Sequence, residues 1–199
     1  MISEADVWAE SLWKDRKETK LNKKLKEVLS TSIYILVVLI LTYCVVTFVG
    51  QRTEVIGSSM EPTLSDGDNL IVDKITYRMG EPKRFDIVVF PYQYTKGTYY
   101  IKRIIGLPGE TVQIDEAGRI YINGEVLSEH YGKETITDPG LAGKGVILAD
   151  DEYFVLGDNR NDSADSRFVS VGSIKREQIV GRAWVRMYPF DKLGILQHE

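Results

Sequence analysis

Thr111–Val126 reads TVQIDEAGRIYINGEV. Val112 and Ile114, then Ile120 and Ile122, alternate with polar neighbours, the period of a strand with one buried face. Glu116-Ala117-Gly118 breaks the alternation with turn formers, so the stretch predicts a β-hairpin. Around it, short apolar runs bounded by turn residues predict further strands: NLIVDKITY at 69–77, DIVVF at 86–90, TYYIKRIIG at 98–106, EYFVLGD at 152–158 and IVGRAWVRMYPF at 179–190. VIG at 55–57 reads as a short strand, and VSVGSIKREQIV at 169–180 as room for one helical turn. Residues 127–150 are polar and loop-like. With the hairpin before them they predict a small β lobe, about 107–150, inserted into a larger sheet.

The chain before this region is different in kind. Val28–Val49, VLSTSIYILVVLILTYCVVTFV, is 22 residues without a charge. As a helix it spans roughly 33 Å at 1.5 Å per residue, matching a hydrocarbon core of about 30 Å. Seven Lys/Arg and two acids lie between Lys14 and Lys26, and Arg52 follows the span. The excess of positive charge before it places the N-terminus in the cytoplasm and residues 50–199 outside. The apolar run is longer than that of a cleaved leader, and no Ala-x-Ala follows it, so it reads as a retained anchor. The expected organisation is a cytoplasmic segment 1–27, a transmembrane helix 28–49 and an all-β extracytoplasmic domain 50–199. The fold class is therefore mainly β.

Composition narrows the chemistry. A net charge of -4 gives no reason to expect a nucleic-acid partner. Cys44 is the single cysteine, which excludes an intrachain disulfide. The two histidines are His130 and His198, so a Cys/His metal cluster is not expected and a Ser-His-Asp triad would rest on His130.

Three segments carry groups suited to chemistry. GSSMEPTL, Gly57–Leu64, sets two serines on a turn stiffened by Pro62. YIKRI, Tyr100–Ile104, puts Lys102 on one strand face with Tyr100 and Ile104, where desolvation lowers an amine's pKa and equips it to take a serine proton. GDNRNDSADSR, Gly157–Arg167, is dense in Asp, Asn and Arg and can form an ion-paired scaffold.

In order and wording these segments resemble the type I signal peptidases, or leader peptidases, in the small single-span form of Gram-positive bacteria. The matching blocks are S-M-x-P-T-L at Ser59–Leu64, D-I-V-V-F at Asp86–Phe90, Y-I-K-R-I-I-G-L-P-G-E at Tyr100–Glu110 and G-D-N-R with S-A-D-S-R at Gly157–Arg167. The resemblance covers most of residues 50–190. It implies a membrane-bound serine endopeptidase that cuts after Ala-x-Ala-like motifs in exported preproteins. Ser59 would be the nucleophile and Lys102 the general base. Arg103 would pair with Asp158 or Asp165, Arg167 would belong to the same scaffold, and Ser163 would orient the lysine amine. The Ser59 N–H would help hold the oxyanion. Met60, Ile56 and Tyr100 would contact the substrate, an extended signal peptide added to a sheet edge. No metal or organic cofactor is implied. The partners would be preprotein signal peptides, the lipid bilayer and the secretion machinery, at the plasma membrane.

Three departures from the family pattern stand out. Gly57 occupies a place where some relatives have a serine that supplements the oxyanion hole, leaving open whether Ser58 substitutes. Phe85 replaces the glycine of R-G-D, a change expected to alter a turn or bring Phe85 to lipid. Asn161-Asp162 reverses the common Asp-Asn order, an exchange expected to leave the loop intact. Two other readings also stay open: a non-catalytic homologue that only binds preproteins, and a Ser/Lys hydrolase with one dedicated substrate.

Overall fold

The computed structural model describes residues 4–44 and 50–197, with side chains of the first stretch described from 23 to 43. The chain divides into two units, Met1–Thr47 and Phe48–Glu199. The first contains one helix, α1 (Glu4–Cys44). Its Lys23–Tyr43 stretch is long and apolar enough to cross a membrane. Every side chain from Lys23 to Tyr43 is exposed. Residues 45–49, the last of the expected span, lie outside the described residues, as does His198.

The second unit is built on strands. Its larger sheet runs in the order β1 (Gly50–Glu54), β2 (Asn69–Asp73), β11 (Gly181–Tyr188), β3 (Ile87–Pro91), β4 (Tyr99–Gly106), β9 (Glu152–Leu156) and β10 (Ile174–Lys175), with β12 (Gly194–Ile195) also paired to β11. All the pairings are antiparallel. β3 is central and buried on both faces at Ile87–Phe90, which explains why it reads as an unbroken apolar run. Its alternate residues feed separate cores. Ile87 and Val89 join Met60, Leu64, Leu70, Val72 and Ile101, whereas Val88 and Phe90 join Ile104, Tyr153 and Val155.

The smaller sheet has the order β7 (Glu125–Val126), β6 (Ile120–Ile122), β5 (Thr111–Ile114) and β8 (Val146–Ile147). The hairpin predicted from Thr111–Val126 is β5–β6, with Val112 opposite Ile122 and Ile114 opposite Ile120. Asp115 closes its turn by accepting hydrogen bonds from the Ala117 and Arg119 N–H groups at Oδ1. A second turn at Asn123-Gly124 starts β7. Both its residues have positive φ, the conformation that an Asn-Gly hairpin favours.

Two local readings change. The strand expected over 69–77 stops at Asp73, whose carboxylate accepts the Ile75 and Thr76 N–H groups and the Thr76 hydroxyl. That side-chain competition turns the chain into a short helix, α2 (Thr76–Met79). The strand expected at 55–57 lies earlier, as β1, while Val55 drops into the core and Gly57 turns at φ 94°.

Candidate active site

Ser59 sits in the turn after β1 and Lys102 in the middle of β4. The two are distant in sequence, but the fold brings Lys102 Nζ to 2.6 Å from Ser59 Oγ. The amine's second polar contact is the Ile101 carbonyl at 3.0 Å. Lys102 is 3% exposed, and its Nζ lies 5.2 Å from the centre of the Tyr100 ring. Burial pushes its pKa down from 10.5 to about 8, against the opposing pull of the Asp165 and Asp158 charges. A large share of the amine is therefore neutral near pH 8 and can accept the serine proton. The Ser59 N–H donates to no acceptor among the described residues, which leaves it available to an incoming oxygen.

The acidic loop after β9 supports both groups. Asp158 receives a two-pronged contact from Arg103, at 2.9 Å from Nε and 2.7 Å from Nη2. Thr63 Oγ1 donates to the same carboxylate at 2.6 Å, tying the loop to the serine turn. Arg103 also donates to the Phe85 carbonyl and stacks its guanidinium 3.7 Å from the Tyr131 ring centre. Arg103, Asp158 and Thr63 Oγ1 are all hydrogen-bonded, as buried ions require. Of the two acids considered for Arg103, Asp158 is the partner. Asp165 instead takes Arg167, at 2.8 Å from Nε and 2.9 Å from Nη2, and accepts the Gly157 N–H. Gly157 must lack a side chain: a Cβ there would stand 2.4 Å from the Ser59 carbonyl and 2.2 Å from Ser163 Oγ.

Several expected roles come out differently. Ser163 is expected to orient the amine, but its buried hydroxyl has no hydrogen-bond partner among the described residues. Ser58 was a candidate to complete the oxyanion hole. Its Oγ instead donates to Asp162 Oδ2 at 2.5 Å. Gly57, with φ 94°, holds a conformation that disfavours a serine in the same backbone. Phe85 turns the chain with a positive φ of 70°, and its ring packs on the small-sheet core with its centre 5.0 Å from that of Tyr131. The Asn161-Asp162 order is also chemically specific. Asn161 accepts from the Thr137 N–H and hydroxyl and donates to the Thr135 carbonyl, which needs an amide, whereas Asp162 serves Ser58 as an acceptor. His130 is exposed and stacks on Tyr131.

Beside Ser59 lies an open cleft of about 480 Å³. Thr53–Ile56 form one wall, Gly97–Lys102 the other, and Met60 and Ala164 complete the lining with Ser59. Ile56 is 89% exposed at its rim, Met60 is 1% exposed, and Tyr100 is half-buried. Both walls present free backbone. β1 is an edge strand, and β4 pairs with β9 only from Arg103 onward, leaving its 99–102 segment open on that side.

A serine hydroxyl bonded to a buried, partly neutral lysine is the equipment of a hydrolase that works without histidine. The family model for "Signal peptidase, peptidase S26" matches residues 26–188, and the chain belongs to that family. The probable signal peptidase I-2 of Synechocystis is 43% identical over 158 residues, 77% of this chain and 70% of that relative. Signal peptidase I T of Bacillus subtilis is 37% identical over 183 residues, 88% of this chain and 93% of that one. A solved signal peptidase I from Enterococcus faecalis is 38% identical, with a TM-score of 0.43, covering 52% of this chain and 97% of its own.

Proposed function

We propose that the chain is a membrane-bound endopeptidase that removes signal peptides from exported preproteins, with Ser59 as nucleophile and Lys102 as general base. The observation that carries this reading is the 2.6 Å contact between Ser59 Oγ and a lysine amine whose pKa is lowered to about 8. Oγ attacks the scissile carbonyl carbon as Nζ takes its proton. The Ser59 N–H receives the developing oxyanion. Collapse breaks the C–N bond, and Lys102 returns the proton to the leaving amine, freeing the mature chain. Water, deprotonated by the same amine, then attacks the acyl carbon, the bond to Ser59 Oγ breaks, and Nζ returns the proton to Oγ as the signal peptide leaves with a C-terminal carboxylate.

The cleft suits an extended peptide. Main-chain groups on the free edge of β1 and on the open side of residues 99–102 can pair with it, and the apolar floor around Met60 favours small uncharged side chains before the cut. The exposed apolar stretch of α1 anchors the chain in a bilayer, with the basic residues before it on the cytoplasmic side and the sheet domain outside. There the site meets preproteins as the secretion machinery delivers them.

The test is cleavage of a preprotein ending its leader in Ala-x-Ala by the detergent-solubilised full chain. Activity in the parent, and none in Ser59→Ala or Lys102→Met, is the expected result. Full activity in Ser59→Ala would overturn the assignment.

A further inference from the structure

We infer that Asn159 is a positioning residue for the oxyanion donor: it fixes the plane of the Ser58–Ser59 peptide unit and so the direction of the Ser59 N–H. The inference rests on Ser59 being the nucleophile.

The Ser58 carbonyl and the Ser59 N–H belong to one planar unit and point in opposite directions. Whatever holds the carbonyl therefore aims the N–H. The Ser58 carbonyl accepts two hydrogen bonds, from the Glu61 N–H at 3.0 Å and from Asn159 Nδ2 at 3.1 Å. The first is internal to the serine turn and moves with it. The second comes from the loop after β9, which Asp158 locks to Arg103 on β4, the strand that bears Lys102. Asn159 also donates its backbone N–H to the Ser59 carbonyl at 3.1 Å. One residue thus grips both the carbonyl before the nucleophile and the nucleophile's own. It is 5% exposed, so water does not readily replace the lost bonds.

The grip also acts electronically. A carbonyl that accepts two hydrogen bonds polarises its amide and makes the attached N–H a stronger donor. Neither effect requires Asn159 to touch the substrate. Both act when negative charge builds on the scissile oxygen, so they lower the barrier without tightening ground-state binding.

The test is steady-state kinetics of full-length Asn159→Ala on an Ala-x-Ala peptide substrate, with Ser59→Ala as the null. Truncation removes the side-chain bond and keeps the backbone one, so the donor loosens but is not lost. We expect kcat to fall about 10- to 100-fold, short of the roughly 100- to 1000-fold that deleting an oxyanion donor outright produces. KM should stay within about twofold, and the activity limb near pH 8 should not move, because the Ser59–Lys102 pair is intact. If Asn159→Ala does not fold, the near-isosteric Asn159→Leu carries the test, since its side chain cannot donate to the Ser58 carbonyl and adds no charge beside Lys102. An unchanged kcat, a loss confined to KM, or a displaced pH limb would each overturn the inference. Activity in Ser59→Ala would instead overturn the nucleophile assignment beneath it.

Discussion

Replacing Lys102 by methionine should abolish cleavage and, near neutral pH, make the fold more stable. The amine titrates at about 8 in the fold, against 10.5 for a lysine free in water. Charging it is therefore harder in the folded chain by roughly 3 kcal/mol. The direction follows from proton binding. Between pH 8 and 10.5 the unfolded chain binds a proton that the fold does not, so stability rises with pH across that window. Below pH 8 the handicap is complete; above 10.5 it is gone. Methionine has nearly the same reach and no charge. It also forfeits the bonds to Ser59 and the Ile101 carbonyl, about 1 kcal/mol each and independent of pH over this range. The stability advantage of Lys102→Met should accordingly shrink by roughly 3 kcal/mol between pH 7 and pH 10.5, and can reverse at the upper end. Urea unfolding of the solubilised full chain, followed by tryptophan fluorescence at both pH values, measures this directly. A difference between the two proteins that stays constant with pH would refute the reasoning, because burial of the amine would then not be what lowers its pKa.

Cleavage by the parent should rise about tenfold per pH unit below a limb near 8 and level off above it, as a pH–rate profile at fixed substrate will show; a limb near 6.5 would implicate a histidine. Arg103→Met leaves Asp158 buried beside Thr63 without its counter-ion and should destabilise the fold by about 3–5 kcal/mol in denaturant unfolding. Gly157→Ala drives a methyl group into the Ser59 carbonyl and Ser163, so the turnover number should fall further than the melting temperature accounts for. Exchanging Asn161-Asp162 for the family's Asp-Asn order removes the donation to the Thr135 carbonyl. It should lower stability by about 1 kcal/mol in thermal melts.

The strands were legible where one chemistry dominated. DIVVF has apolar side chains for both faces of a central strand, and TVQI…IYI alternates because one face of its sheet packs on a core. The end of β2 was hidden because apolar Ile75 continues the strand pattern, while the deciding event is a carboxylate capping two N–H groups downstream. Asn123-Gly124 was a readable turn that the longer alternation masked. At the site, Ser59 and Lys102 stood out by their motif neighbours, and the fold sets them in contact. The choice between Asp158 and Asp165 for Arg103 was beyond the sequence: both are acids of one loop, and only the path of that loop decides. The same holds for Asn159 and Asp162. Their parts depend on contacts across about a hundred residues of chain, with Ser58 and Ser59, which no local pattern encodes.

Lys102 and Arg103 are neighbours on a pleated strand, and the pleat sends them to opposite sides of the sheet. One is held with its charge suppressed; the other never gives its charge up. A slip of β4 by a single residue would exchange them, offering the serine a guanidinium that cannot accept a proton. The spacing of the Tyr92–Thr98 connection, together with the pairing of Ile87 with Arg103 and Val88 with Lys102, therefore guards the reaction as directly as any side chain. A one-residue insertion or deletion that shifted this strand would silence the enzyme while leaving each motif in its sequence intact.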